Sequence, residues 1–189
     1  MNIGLFFGSF NPVHNGHLII ARHFLNYHSF HEVWLVVSPL NPLKKIGSLL
    51  NEQHRKRMID LAVEGDSKLR SSNVEFRLPR PSFTIDTLSY LSEKYPQHQF
   101  SVLMGSDSAN NLSKWKNYRI LLQRFPIYVY LRPGSELPPF PDANITATQA
   151  PLLDISSTRI REMIRNGKSI RYLVPDIVMD EINAQQYYS

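Results

Sequence analysis

The 189-residue chain contains no cysteine, which excludes a disulfide framework, a cysteine-ligated zinc finger and a thiol nucleophile. No apolar run approaches the roughly 18 residues that cross a bilayer, so no membrane partner is expected. Met1-Asn2-Ile3-Gly4 puts no cationic stretch ahead of an apolar one. A secretory signal is therefore not expected, and the cytoplasm is the expected location. Glycine is scarce at eight residues, which makes any clustering of it informative. No segment repeats and none is of low complexity. Hydrophobic residues make up 42% of the chain, which excludes disorder throughout. The length suits one domain over 1–189, and at this size about 70% of the unfolded surface is buried on folding. The net charge of +5 suits an anionic partner or an ordinary solvated surface, and only the placement of the basic residues can decide.

What is present alternates strand with helix. Asn2 to Phe7 is a short apolar run closed by Gly8 and Asn11-Pro12, and Leu18 to Leu25 keeps helical spacing behind Asn15-Gly16. Glu32 to Ser38 is β-branched and nearly all apolar, as in a parallel strand buried on both faces. Asn51 is a plausible N-cap for a helix through Ala62; Asn73 to Leu78 alternates as a strand, and Thr84 to Tyr95 reads as a helix. Phe100 to Met104, Ile127 to Leu131 and a short stretch near Ile145 read as strands. Tyr118 to Gln123, Ser156 to Arg165 and Pro175 to Gln186 read as helices, and Leu137 to Pro141 as a Pro-rich loop. This order predicts a doubly wound α/β sheet whose ligand lies beyond the carboxyl ends of the strands.

The richest strand end is Gly8-Ser9-Phe10-Asn11-Pro12-Val13-His14-Asn15-Gly16-His17. Gly8 can turn tightly and admit a phosphate, and Gly16 removes bulk at the helix entrance. His14 and His17 flank one helix N-terminus, where N–H groups and the dipole favour an anion. Either histidine alone reads as a cap or core residue, whereas the pair suits a polyphosphate. A metal site at His14, His17 and His23 finds no Cys, Asp or Glu at ligand spacing. After the second strand, Lys44 is either a point charge for phosphate or a surface lysine. Gly105-Ser106-Asp107 can meet a ribose or simply cap a helix, and Arg132 follows the next strand. Asp154 to Arg161 gathers three hydroxyls and two guanidiniums at a helix start, a second anion cradle or a basic solvated face.

Gly8 to His17 resembles the H-x-G-H signature of the nucleotidyltransferase superfamily, and Ile155 to Arg161 resembles its I-S-S-T-x-x-R signature, roughly 140 residues later. Ser82 to Leu88, Gly105-Ser106-Asp107, Trp115, Arg132-Pro133-Gly134 and Tyr172 to Pro175 are similar to bacterial nicotinate-nucleotide adenylyltransferases. The resemblance implies a Rossmann-like α/β/α sandwich with C-terminal helices. It implies transfer of the adenylyl group of ATP to nicotinate mononucleotide with Mg²⁺, giving deamido-NAD and pyrophosphate. It implies catalytic roles for His14, His17 and Arg161. The ATP-binding set implied is Gly8, Ser9, Phe10, His14, His17, Gly105, Asp107, Ser157, Thr158 and Arg161. The mononucleotide falls to Asn11, Lys44, Thr84, Trp115 and Arg132, the indole of Trp115 by stacking. No resident metal ligand set is implied. Asn11 stands where many members carry Asp, and Leu43 where the loop often has His before Lys.

Rivals are another adenylyl- or cytidylyltransferase acting on phosphopantetheine, and a non-catalytic nucleotide- or RNA-binding domain. The basic clusters His54 to Arg57 and Arg159 to Arg165 lack the interleaved aromatics expected for RNA, so no nucleic-acid partner is expected. The sequence leaves a homo-oligomer open.

Overall fold

The computed structural model describes residues 1–40, 49–132, 135–137, 139–140, 143–151 and 153–189. The predicted alternation becomes β1 (Asn2–Gly8), α1 (Asn15–Tyr27), β2 (Glu32–Val37), α2 (Glu52–Ala62), β3 (Leu69–Ser72), α3 (Thr84–Lys94), β4 (Gln99–Gly105), α4 (Ser106–Ala109), α5 (Tyr118–Arg124), β5 (Ile127–Tyr130), β6 (Ile145–Thr148), α6 (Ser157–Arg165) and α7 (Asp176–Ala184). The six strands pair in parallel in the order β3-β2-β1-β4-β5-β6. That is the Rossmann order, which reverses between β1 and β4.

Alternation along each strand divides the core in two, because successive side chains leave opposite faces of a sheet. Ile3, Leu5, Val102 and Met104 pack on one face with residues of α3, α4 and α5. Phe6, Leu35, Leu103 and Tyr130 pack on the other with α1, α2, α6 and α7. Both faces are covered, which is why these strands are apolar nearly throughout. Two helix starts follow from side-chain caps. Asn51 accepts from the Gln53 N–H at 2.8 Å, and Ser156 accepts from the Arg159 N–H at 3.2 Å.

The segment read as a strand over Asn73 to Leu78 is corrected by the structure. The strand comes earlier, at Leu69–Ser72, paired with Val33 to Val36, and Val74–Arg77 is a 3₁₀ helix. Glu75 explains the turn away from the sheet. Its carboxylate is buried and accepts the hydroxyl hydrogens of Ser82 (2.7 Å) and Thr87 (3.0 Å), which draws the chain toward α3. Val74 and Phe76 reach opposite cores, whereas residues two apart in a strand would share one face. The short α4 and a 3₁₀ turn at Leu112–Lys114 had no counterpart in the sequence reading.

Phe24 of α1 is completely buried against the sheet. Phe24→Ala is expected to lower the unfolding free energy by about 3–5 kcal/mol, read from urea unfolding with an unchanged m-value. A loss below about 1 kcal/mol would mean that this face is not closely packed.

Candidate active site

A parallel sheet whose order reverses at β1 and β4 leaves a crevice beyond their carboxyl ends. Here it is a cavity of about 1140 Å³. Gly8, Ser9, Phe10, Asn11, His14, His17, Thr84, Gly105, Asp107, Trp115, Arg132, Ser157, Thr158 and Arg161 all line it. Every predicted site residue is thereby brought to one cavity except Lys44, which lies outside the described residues.

The turn after β1 is built differently from the sequence reading. The tight bend is made not by Gly8 but by Phe10, which holds φ at 45°, a conformation that costs a bulky residue energy. The Phe10 ring is buried and packs edge-on against Phe6 (5.9 Å between centroids) and His17 (4.9 Å), which fixes the bend. Gly8 makes room for it: a Cβ there would come within 2.8 Å of the Phe10 ring.

His14 caps α1 and His17 lies in its first turn, and their rings stack with centroids 3.6 Å apart. The His14 N–H donates to His17 Nδ1 at 3.3 Å, so a neutral His17 carries its proton on Nε2. The His14 ring is only 6% exposed, and its Nδ1 is buried with no partner among the described residues. Gly16 lets it sit there, since a Cβ would meet His14 Nδ1 at 3.1 Å. Burial pushes the His14 pKa down from 6.5 to about 4, so the ring is uncharged at neutral pH.

The start of α6 docks on the same turn. Ser157 Oγ donates to the Pro12 carbonyl at 2.9 Å, and Arg161 Nη1 donates to the Asn11 carbonyl at 2.8 Å. Arg161 Nη2 reaches Thr158 Oγ1 at 3.4 Å, while its Nε is buried without a partner among the described residues. Asn11 is buried, and its side-chain oxygen accepts from the Leu50 N–H (3.2 Å) and the Tyr188 hydroxyl (2.9 Å). Burial pushes the Tyr188 phenol above its ordinary value, which keeps it a donor.

Thr84, which opens α3, and Trp115 line the same cavity. Burial raises the Glu75 pKa above the usual carboxylate value. Asp107 and Arg132 pair at 3.0 Å across the ends of β4 and β5. Both are more than half exposed, so the pair contributes little to stability. Among the described residues there is no group of three or more His, Cys, Asp or Glu that could hold a metal ion.

Sequence reasoning missed Glu75, Arg55 and Tyr188. Arg55 was seen only as part of a basic cluster. Its spacing to Met58, Ile59 and Ala62 was the available signal, because i+3, i+4 and i+7 share one helix face, here the buried one.

A cytidylyltransferase-like family model matches residues 5–163. A protein of Cytophaga hutchinsonii named "Probable nicotinate-nucleotide adenylyltransferase" is 47% identical over 190 residues, covering 100% of this chain and 99% of its own length. A Flavobacterium johnsoniae protein of the same name is 45% identical over 193 residues, covering 100% and 99%. The fold is similar to that of the Plasmodium falciparum nicotinic acid mononucleotide adenylyltransferase complexed with NaAD. There the TM-score is 0.83 at 22% identity, covering 99% of this chain and 97% of that one.

The His14 burial has a measurable consequence. The unfolded imidazole takes its proton near pH 6.5 and the folded one only near 4, so acid favours the unfolded chain. About 3 kcal/mol of stability, present above pH 6.5, is expected to be lost as the pH falls to 4. Urea unfolding of the protein and of His14→Asn at neutral and acid pH checks this. The variant should lose distinctly less on acidification, and equal losses would mean that the ring is solvated.

Proposed function

The chain belongs to the nicotinate-nucleotide adenylyltransferases of the cytidylyltransferase-like family, and we propose on that premise that it joins ATP to nicotinate mononucleotide, giving deamido-NAD and pyrophosphate. One observation carries the reading at the level of residues. The imidazoles of the amino-terminal turn and the hydroxyl-rich start of α6 line the same cavity, at the switch point of the sheet. The whole chain acts in this reading as one nucleotidyltransferase domain, working in the cytoplasm.

The attacking group is the phosphate of the mononucleotide, which is already ionised, so the protein supplies neither nucleophile nor general base. An oxygen of that phosphate attacks the α-phosphorus of ATP, and the bond from that phosphorus to the bridging oxygen of pyrophosphate breaks. Holding the two in line accounts for about 7–11 kcal/mol of barrier in well-oriented systems. We assign the triphosphate to His14, His17, Ser157, Thr158, Arg161 and the Gly8 to Phe10 turn, with Gly105 and Asp107 on the adenosine side. Asn11, Thr84, Trp115 and Arg132 are assigned to the mononucleotide, whose flat ring suits the indole face. Lys44 retains its proposed phosphate role. Magnesium belongs to the substrate in this reading and arrives on the ATP phosphates, as is usual where a site offers few carboxylates.

His14 and His17 supply hydrogen-bond donors to the leaving pyrophosphate, and His17 Nε2–H is already set for that by the bond at its Nδ1. Removing one such preorganised donor costs about 3–4 kcal/mol in comparable sites. The expected outcome is therefore that His17→Ala lowers kcat by about 10²–10³-fold with only a small change in Tm. A large loss of Tm with retained specific activity would return His17 to a capping role. Turnover with ATP on nicotinate mononucleotide, nicotinamide mononucleotide and phosphopantetheine tests the substrate. The first should be preferred, and preference for the third would overturn the reading.

Burial and the helix dipole keep His14 neutral, whereas a bound triphosphate favours imidazolium. ATP is expected to raise the proton affinity of His14 from its low starting point, read as a shifted ring titration by NMR with and without nucleotide. An unchanged titration would remove His14 from contact with phosphate.

A further inference from the structure

Arg55 is the largest fully buried side chain of the described residues, at 0% exposure. A guanidinium taken out of water needs partners for its donors, and a carboxylate is the usual one. Among the described residues Arg55 has no carboxylate in ion-pair contact; the nearby Glu52 is engaged with Arg80 at 2.6 Å. Its partners are four backbone carbonyls instead. Nε donates to Leu50 (2.7 Å), Nη1 to Ser9 and Ser38 (3.0 Å to the latter), and Nη2 to Pro39 (3.2 Å). One planar fork thus joins the turn after β1, the exit of β2 and the approach to α2, which only a guanidinium spans.

The bonds have a common sense. A backbone turn attracts an anion through N–H groups and repels it through carbonyl oxygens. Here the Ser9 carbonyl is held by Arg55, the Asn11 carbonyl by Arg161 and the Pro12 carbonyl by Ser157. The Gly8 carbonyl accepts from the Ser38 N–H at 2.9 Å. Each of these oxygens already accepts a hydrogen bond from the protein. Arg55 does not line the cavity, so it works through Ser9 and the loop after β2, both of which do.

We propose that Arg55 is a positioning residue of the phosphate site, holding the Ser9 carbonyl away from the bound anion and fixing the turn after β1 against the loop after β2. The inference rests on the adenylyltransferase reading for its catalytic consequence and not for its anion-binding one. A misplacement of the turn by about 1 Å is sufficient for a roughly 100-fold effect on rate.

Arg55→Lys keeps the charge but cannot span the four carbonyls, and Arg55→Ala leaves space for added ethylguanidinium. Two readouts are needed: kcat and KM for adenylyl transfer, and calorimetric affinity for inorganic pyrophosphate alone. The expected result is a folded Arg55→Lys with kcat/KM for ATP down about 100-fold, pyrophosphate binding weakened in parallel, and partial rescue of Arg55→Ala by ethylguanidinium. A folded Arg55→Lys within about threefold of the parent in both readouts would overturn the proposal. If neither variant folds, the parent protein decides. Pyrophosphate should shift the amide NMR signals of Ser9, Phe10 and Asn11, and unshifted amides overturn it. Should the parent fail to transfer adenylyl groups, the functional reading falls while the pyrophosphate measurements still judge Arg55.

Discussion

A strand end can hold a polyphosphate only if its turn shows the anion N–H groups and hides its carbonyls. In this protein three carbonyls of one such turn are bonded by side chains from two remote elements. Arg55 on α2 and Ser157 and Arg161 on α6 take the oxygens of the turn after β1. The position of α6 therefore bears on the shape of the cavity as well as on the core beneath it. Ile160 of the same helix is fully buried against the sheet, so one helix face packs while the adjacent one holds the turn. Packing and function share a helix here, and a change that loosened Ile160 would release the Asn11 and Pro12 carbonyls as well.

The histidine pair shows how local geometry sets electrostatics before any ligand arrives. Stacking the rings 3.6 Å apart at a helix N-terminus would be unfavourable for two cations, since the dipole and each ring oppose the charge of the other. Burial of His14 resolves this by keeping that ring neutral. One ring of the stacked pair is then uncharged, with the Arg161 guanidinium bonded to the same turn.

Most of this was legible in the sequence because it follows from period and punctuation. The apolar runs at Asn2 to Phe7, Glu32 to Ser38 and Phe100 to Met104 became the central strands β1, β2 and β4. Strand-end residues of a doubly wound sheet converge, while Thr84, Trp115 and the joining of the two motifs in one site came from the family resemblance. What escaped was tertiary in origin. A backbone bend at Phe10 rather than Gly8 depends on a ring filling the space the glycine leaves. The 3₁₀ helix at Val74–Arg77 depends on Glu75 finding two hydroxyls on another segment. Arg55 carried a readable periodicity, but a charged side chain on an apolar stripe can be judged only when its carbonyl partners are known.

Asn11 is intelligible in the same terms. Its side-chain oxygen is asked to accept from Leu50 and Tyr188, and a carboxylate could accept both bonds equally well. The difference lies in charge. A buried Asp at this position would lie beside the guanidinium of Arg161, which is bonded to the Asn11 carbonyl, and close to that of Arg55, which holds the neighbouring Ser9 carbonyl. It would neutralise part of the positive field of those two guanidiniums. A neutral amide makes the same hydrogen bonds without adding a carboxylate beside the two guanidiniums. The amide is thus compatible with the site because the turn needs an acceptor there and not a negative charge.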